Sequence, residues 1–213
     1  MKPHQQTFIQ LALSHHALKF GEFTLKSGRQ SPYFFNVGQF NTGQALKTLG
    51  ECYAQALIDS GMTFDSLFGP AYKGIPLACT TAIGMAAKNN QDVPYSFNRK
   101  EEKDHGEGGQ IVGAPLKGKI VIVDDVITKG TAVRESFDII AKSTATISGI
   151  LVALDRQERG QGHRSATQEI QEEFKVKVHA IITFDDIIEY VNKSADFAKY
   201  KDSMHNYREQ YGI

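Results

Sequence analysis

Two adjacent carboxylates, Asp124 and Asp125, are followed by Val126 and Ile127 and then by a turn of small and hydroxyl residues, Thr128-Lys129-Gly130-Thr131-Ala132. Neighbouring carboxylates can accept hydrogen bonds from a sugar diol or hold a hydrated Mg²⁺ ion. A small-residue turn that opens a helix offers unpaired N–H groups and positive dipole to a phosphate. Both together suit a ribose phosphate. Taken alone, paired aspartates after a strand also serve as the cap of the next helix, so the surrounding segments must decide.

Four other segments could join that chemistry. In Phe68-Gly69-Pro70-Ala71-Tyr72-Lys73-Gly74-Ile75-Pro76 the two glycines and Ala71 allow close backbone approach to a ligand. Pro76 fits a first helical turn. Lys73 then faces the same crevice as Asp124, either to hold a diphosphate or as a solvated lysine. The spacing is not that of a Walker loop. The stretch from Asn98 to Gly109 places Arg99, Lys100, Lys103 and His105 among three glycines. It reads either as a solvated charge run or as a lid that closes on a polyphosphate. The segment from Phe23 to Asn36 sets Tyr33, Phe34 and Phe35 beside Lys26, as core packing or as a wall for a planar ring. Arg156 follows the apolar run Leu151-Val152-Ala153-Leu154. It can pair with Asp155 or solvent, or grip a substrate carboxylate with its planar fork.

The elements that must carry these residues follow from periodicity. Ile120 to Val123 forms a strand buried on both faces, and the helical pattern of 131–142 follows the turn. Further strands are expected at 65–68, 94–98, 146–154 and 176–182, with helices at 75–88, 168–174, 184–191 and 195–211. This alternation marks an α/β fold with a parallel sheet. Before residue 63 the pattern differs. A helix over 2–19, a hairpin of strands 22–26 and 31–37, and a helix over 41–59 make a small α+β hood. Asn41 or Thr42 caps the second helix and Gly61 ends it. The expected division is 1–62 and 63–213. Stretches 100–110 and 156–166 are polar, glycine-bearing and irregular.

The 213 residues are 41% hydrophobic, enough for one sizeable core. With 24 basic and 24 acidic residues the formal net charge is +0, which argues against nucleic acid as a partner. No apolar run is long enough to span a membrane, and Met1 to Gln6 lacks the apolar block of a secretion signal. Cys52 and Cys79 are isolated and suit helix core positions in a reduced, cytoplasmic protein. His4, His15, His16, His163, His179 and His205 have no ligand-like spacing.

In their order along the chain these five segments resemble the orotate phosphoribosyltransferases, in their bacterial long form, within the type I phosphoribosyltransferase family. The resemblance implies a parallel-sheet fold flanked by helices under the N-terminal hood, with a mobile loop at 99–110. It implies transfer of a 5-phosphoribosyl group from phosphoribosyl pyrophosphate (PRPP) to N1 of orotate, in pyrimidine biosynthesis. PRPP would then be held by Lys26, Tyr72, Lys73, Arg99, Lys100, Lys103, His105 and the run Asp124, Asp125, Val126, Ile127, Thr128, Lys129, Gly130, Thr131 and Ala132. Orotate would meet Lys26, Phe34, Phe35, Thr128 and Arg156. Lys73, Lys103, Asp124 and Asp125 would be the catalytic groups. Mg²⁺ would arrive mainly on PRPP, with Asp124 or Asp125 reaching it through water. The family pattern is a homodimer in which Arg99, Lys103 and His105 act in the partner's site. Lys129 departs from that pattern, because relatives commonly carry a small residue there. The rival readings are a purine or uracil phosphoribosyltransferase and a non-catalytic PRPP sensor.

Overall fold

The computed structural model describes residues 1–25, 27–103, 109–160 and 162–213, with the backbone alone of Glu102, Lys103 and Gly109. The chain opens with α1 (Pro3–Ser14), a hairpin of β1 (Leu18–Thr24) and β2 (Gln30–Phe35), and α2 (Gly43–Ser60). Strand–helix alternation follows: β3 (Ser66–Gly69), α3 (Gly74–Asn89), β4 (Tyr95–Lys103), β5 (Gly109–Gly113), β6 (Lys119–Asp124), α4 (Thr131–Ile140), β7 (Thr146–Asp155), α5 (Ala166–Phe174) and β8 (Lys177–Thr183). Then come α6 (Phe184–Lys193), a 3₁₀ turn at Ala195–Tyr200 and α7 (Lys201–Tyr211).

The central sheet runs β5-β4-β3-β6-β7-β8. All its pairings are parallel except β4 with β5. β6 lies inside it and is buried on both faces, as its run of β-branched residues requires. Ile120 and Ile122 pack in one layer with Phe68, Ile150 and Val152 of the neighbouring strands, under Val133 and Ile140 of α4 and Ile170 of α5. Val121 and Val123 point the other way, into a larger layer with Leu67, Leu151 and Ala153. Side chains of α1, α2, α3, α6 and α7 complete that second layer.

Element ends depart from the sequence reading for local reasons. The first helix stops at Ser14 rather than 19, where His16 turns left-handed with φ 56°. The chain enters β1 at Leu18. β2 ends at Phe35 because Asn36 caps a 3₁₀ turn, its side chain accepting from Gly38 N. Thr42 caps α2 and Gly61, at φ 67°, ends it. Thr183 and Asp186 form a capping box that starts α6. The largest difference is at 94–113. The stretch read as an irregular loop contributes strand at both its ends, and β4 continues through charged residues to Lys103. The buried positions of this hairpin include the polar Ser96 and Asn98, and its outer part is set by backbone pairing, so hydrophobic patterning does not reveal it.

Helices α2 and α3 approach closely through glycine. A Cβ on Gly84 would stand 2.3 Å from the Gly50 carbonyl oxygen, and one on Gly50 2.2 Å from that of Thr80. Both obstacles are backbone, so a methyl there must separate the helices. Gly84→Ala is expected to lower stability by about 1–3 kcal/mol in denaturant unfolding. Gly43→Ala, where nothing lies within 4 Å, should leave it unchanged or slightly raised.

Candidate active site

The chain leaves β3 through α3 to reach β4 on one side, and leaves β6 through α4 to reach β7 on the other. The carboxyl ends of adjacent β3 and β6 therefore diverge into a crevice, the usual ligand position in an open α/β sheet. The glycine loop after β3 lies directly against β6: a Cβ on Gly74 would stand 2.9 Å from the Val123 carbonyl oxygen. This approach brings Lys73 onto the aspartate pair. Its Nζ donates to Asp125 Oδ2 at 2.8 Å while the lysine side chain stays 57% exposed. The ammonium is thus both anchored and open to a ligand.

Neither aspartate caps α4. Asp124 Oδ1 accepts from the Asp125 N–H at 2.9 Å, and Asp125 Oδ1 from the Val126 N–H at 2.8 Å. Their backbone is fixed from both sides. The Tyr53 hydroxyl donates to the Asp124 carbonyl at 2.9 Å, and the Asp125 carbonyl accepts from Ala153 N at 2.9 Å. Burial first, then the charge of Asp125, pushes the Asp124 carboxyl up to about 7, against the opposing pull of the Asp125 N–H and Lys73. An acid with this value takes a proton or gives one up near neutrality.

Beyond the pair the turn opens outward. Val126 is half-buried, Ile127 is buried in the α4 layer, and Thr128 and Lys129 are exposed. Gly130 stands at the N-cap of α4 with φ 70° and supplies no side-chain cap. The first amides of α4, at Thr131 and Ala132, thus meet no side chain at the cap. Arg134 Nη1 donates to the Lys129 carbonyl at 2.7 Å, and the same guanidinium binds the Glu173 carboxylate.

Other expected residues are distributed around this centre. Tyr72 is 70% exposed, and the Lys100 ammonium sits 5.8 Å from its ring centroid. Arg99 is half-buried on β4. Phe34 is exposed and Phe35 half-buried at the end of β2. Lys26, His105 and the side chain of Lys103 lie outside the described residues. Arg156 does not pair with Asp155, which instead accepts from Gln157 N and the Thr167 hydroxyl. Its guanidinium binds Glu158 Oε1 through Nε at 2.9 Å and Nη2 at 2.7 Å. It also lies 4.7 Å from the Tyr33 ring centroid. Glu158 escaped the sequence reading. Its one signal is the Arg-x-Glu spacing, and spacing has little meaning in a stretch without regular structure.

Cys52 is buried in α2, where burial pushes its thiol up to about 12, and Cys79 is half-buried in α3. Burial lowers the pKa of His4 and of His179. Among the described residues no group of three or more His, Cys, Asp or Glu side chains is placed to hold a metal ion, and no helix is long and apolar enough to cross a membrane.

The raised Asp124 value has a measurable sign. Between its ordinary value of 3.8 and about 7 the folded chain binds a proton that the unfolded chain has released. Stability contributed by this group is therefore fully present below that window and is lost as pH rises through it. Asp124→Asn should remove this decline, read as a flatter slope of melting temperature against pH from 4 to 7.

Comparison with known proteins gives concordant results. The phosphoribosyl transferase domain family matches residues 36–185. An orotate phosphoribosyltransferase of Cronobacter sakazakii is 58% identical over 213 residues, covering 100% of both chains. That of Salmonella typhi is 57% identical with the same coverage. The crystal structure of the orotate phosphoribosyltransferase of Francisella tularensis superposes with a TM-score of 0.88 at 46% identity, covering 97% of this chain and 99% of that one.

Proposed function

The chain belongs to the orotate phosphoribosyltransferases, within the phosphoribosyl transferase family, and from that membership we propose how its residues divide the reaction. The enzyme transfers the 5-phosphoribosyl group of PRPP to N1 of orotate, giving orotidine 5′-monophosphate and pyrophosphate in pyrimidine biosynthesis. Breaking the C1–O bond of PRPP builds positive charge on the ribose and negative charge on the departing pyrophosphate. Groups that meet those charges as they grow lower the barrier.

The single observation that carries the assignment is the Lys73–Asp125 contact of 2.8 Å, which joins the β3 and β6 loops at the mouth of the crevice. Lys73 is placed to shift from Asp125 to the pyrophosphate. Asp124 and Asp125 hold the ribose hydroxyls and steady the cationic carbon. The turn Val126 to Ala132 cradles the 5-phosphate through backbone N–H groups. Lys129, exposed at its rim, adds a cation without altering that backbone. Tyr72, Arg99, Lys100, Lys103 and His105 complete the diphosphate side. Orotate lies against Phe34 and Phe35 with Lys26 and Thr128 at its edge and Arg156 at its carboxylate. The hood 1–62 supplies that wall and the core 63–213 the rest.

The donor set fits Mg²⁺ carried in by PRPP better than a resident ion. Two carboxylates already engaged by N–H groups and Lys73 can reach a hydrated ion through water but do not enclose one. When bound, the ion neutralises charge on the leaving pyrophosphate. We also propose a homodimer in which Arg99, Lys103 and His105 of one subunit serve the other's PRPP. Supporting this, Tyr72 in the loop before α3 and Ile83 on α3 are 70% and 58% exposed, and Tyr72 lies against Lys100 of β4.

Loss of orotate absorbance with PRPP and Mg²⁺, with and without a chelator, tests the reading. Lys73→Ala and Lys103→Ala should each slow turnover about 10²–10³-fold while the fold is kept. Wild-type rates in both would remove the assigned roles. Mixing Lys103→Ala with Asp125→Asn subunits should restore activity in hybrid dimers. No recovery on mixing would overturn the sharing of the loop. A purine or uracil enzyme would turn over those bases with PRPP, and a sensor would turn over none.

A further inference from the structure

We infer that Glu158 is a positioning residue that sets the Arg156 guanidinium for the orotate carboxylate, and that Tyr33 extends this control to the hood. The inference rests on the assignment of Arg156 to that carboxylate. Oε1 of Glu158 collects three donors: Arg156 Nε at 2.9 Å, Arg156 Nη2 at 2.7 Å and the Tyr33 hydroxyl at 3.2 Å. Oε2 stands 3.9 Å from Arg29 Nη1. The side chains of Arg156 and Glu158 are only 14% and 13% exposed. Tyr33 is fully buried and stacks on Phe184 at the head of α6, 5.0 Å between centroids.

A guanidinium carries five N–H donors in one plane. Glu158 occupies the Nε edge and Tyr33 backs one face. Among the described residues the Arg156 Nη1 makes no hydrogen bond, so the end of the fork formed by Nη1 and the outer Nη2 proton is left for a planar carboxylate. A flexible side chain held this way loses less freedom on binding. Glu158 is itself held by backbone pairing. Its residue bridges Gly212, Arg159 N donates to Tyr211 O at 2.8 Å, and Ile213 N to Gln157 O at 3.1 Å. Tyr33 immediately precedes Phe34 and Phe35, so one carboxylate oxygen links the wall for the ring to the group for its carboxylate.

Orotidine 5′-monophosphate and uridine 5′-monophosphate differ only in the carboxylate, so the ratio of their dissociation constants isolates the Arg156 contribution. In Glu158→Gln the preference for the carboxylated nucleotide should fall about tenfold, with uridine 5′-monophosphate affinity and melting temperature near wild type. Tyr33→Phe should lower the preference about threefold, since it removes one neutral hydrogen bond. An unchanged ratio in folded Glu158→Gln overturns the inference. So does an increased ratio, which would make Glu158 a competitor of the substrate, and so does an equal loss of both nucleotides, which would make its role structural. If Glu158→Gln does not fold, Tyr33→Phe decides by the same criteria. Arg156→Lys separates the two readings: a wild-type preference there rejects the Arg156 assignment itself, whatever Glu158 does.

Discussion

Everything at the mouth of the crevice depends on one constraint: two carboxylates are held at the buried end of a strand that is itself buried on both faces. β6 cannot shift without disturbing both apolar layers, because Ile120 and Ile122 are packed in one and Val121 and Val123 in the other. Asp124 therefore cannot retreat to water, and its carboxyl stands near 7. Asp125 keeps its charge company in Lys73. The repulsion between two adjacent acids is relieved by a cation from the neighbouring loop, and that cation is the one we propose a pyrophosphate draws off. The arrangement suits the proposed ligand, which brings hydroxyls for the acids and anionic oxygens for the lysine.

Glycine makes this approach geometrically possible. At Gly69 and Gly74 any side chain would run into backbone, including the carbonyl of Val123. At Gly130 a Cβ would stand 2.8 Å from Ile170 and the φ of 70° is costly for other residues. The close packing that brings Lys73 to Asp125 and the tight turn before α4 are two uses of the same freedom. The Arg134 clamp on the Lys129 carbonyl then fixes the turn, and the Lys129 side chain stands exposed.

Much of this was legible in the sequence because local pattern and tertiary role agree. The run Ile120 to Asp125 states strand and burial at once, and the glycines around Lys73 state close approach. Thr42 and Gly61 mark the bounds of α2 by capping chemistry alone. What stayed hidden has a common cause. The β4–β5 edge hairpin is set by backbone pairing of Ser96, Phe97 and Asn98 with Gly113, Val112 and Ile111 and of Lys103 with Gly109, and the partner of Arg156 was chosen by the path of an irregular loop. The Tyr33 hydroxyl reaches a carboxylate 125 residues away. No periodicity encodes such contacts, since each depends on how separate elements are brought together.

In the proposed assignment the two ends of the crevice meet anions by different physics. On the phosphate side the cations Lys73 and Lys100 and the turn at Thr128 and Lys129 are exposed. Water screens them, so they cost little when no anion is bound. At the other end Arg156 is nearly buried, and an unpaired guanidinium there would be expensive. It needs a counter-charge before any substrate arrives, and Glu158 supplies one on a single edge. The exposed side favours exchange and the buried side favours fixed geometry. A ribosyl donor that must let go of pyrophosphate and a flat acceptor that must be aimed at C1 make those two demands.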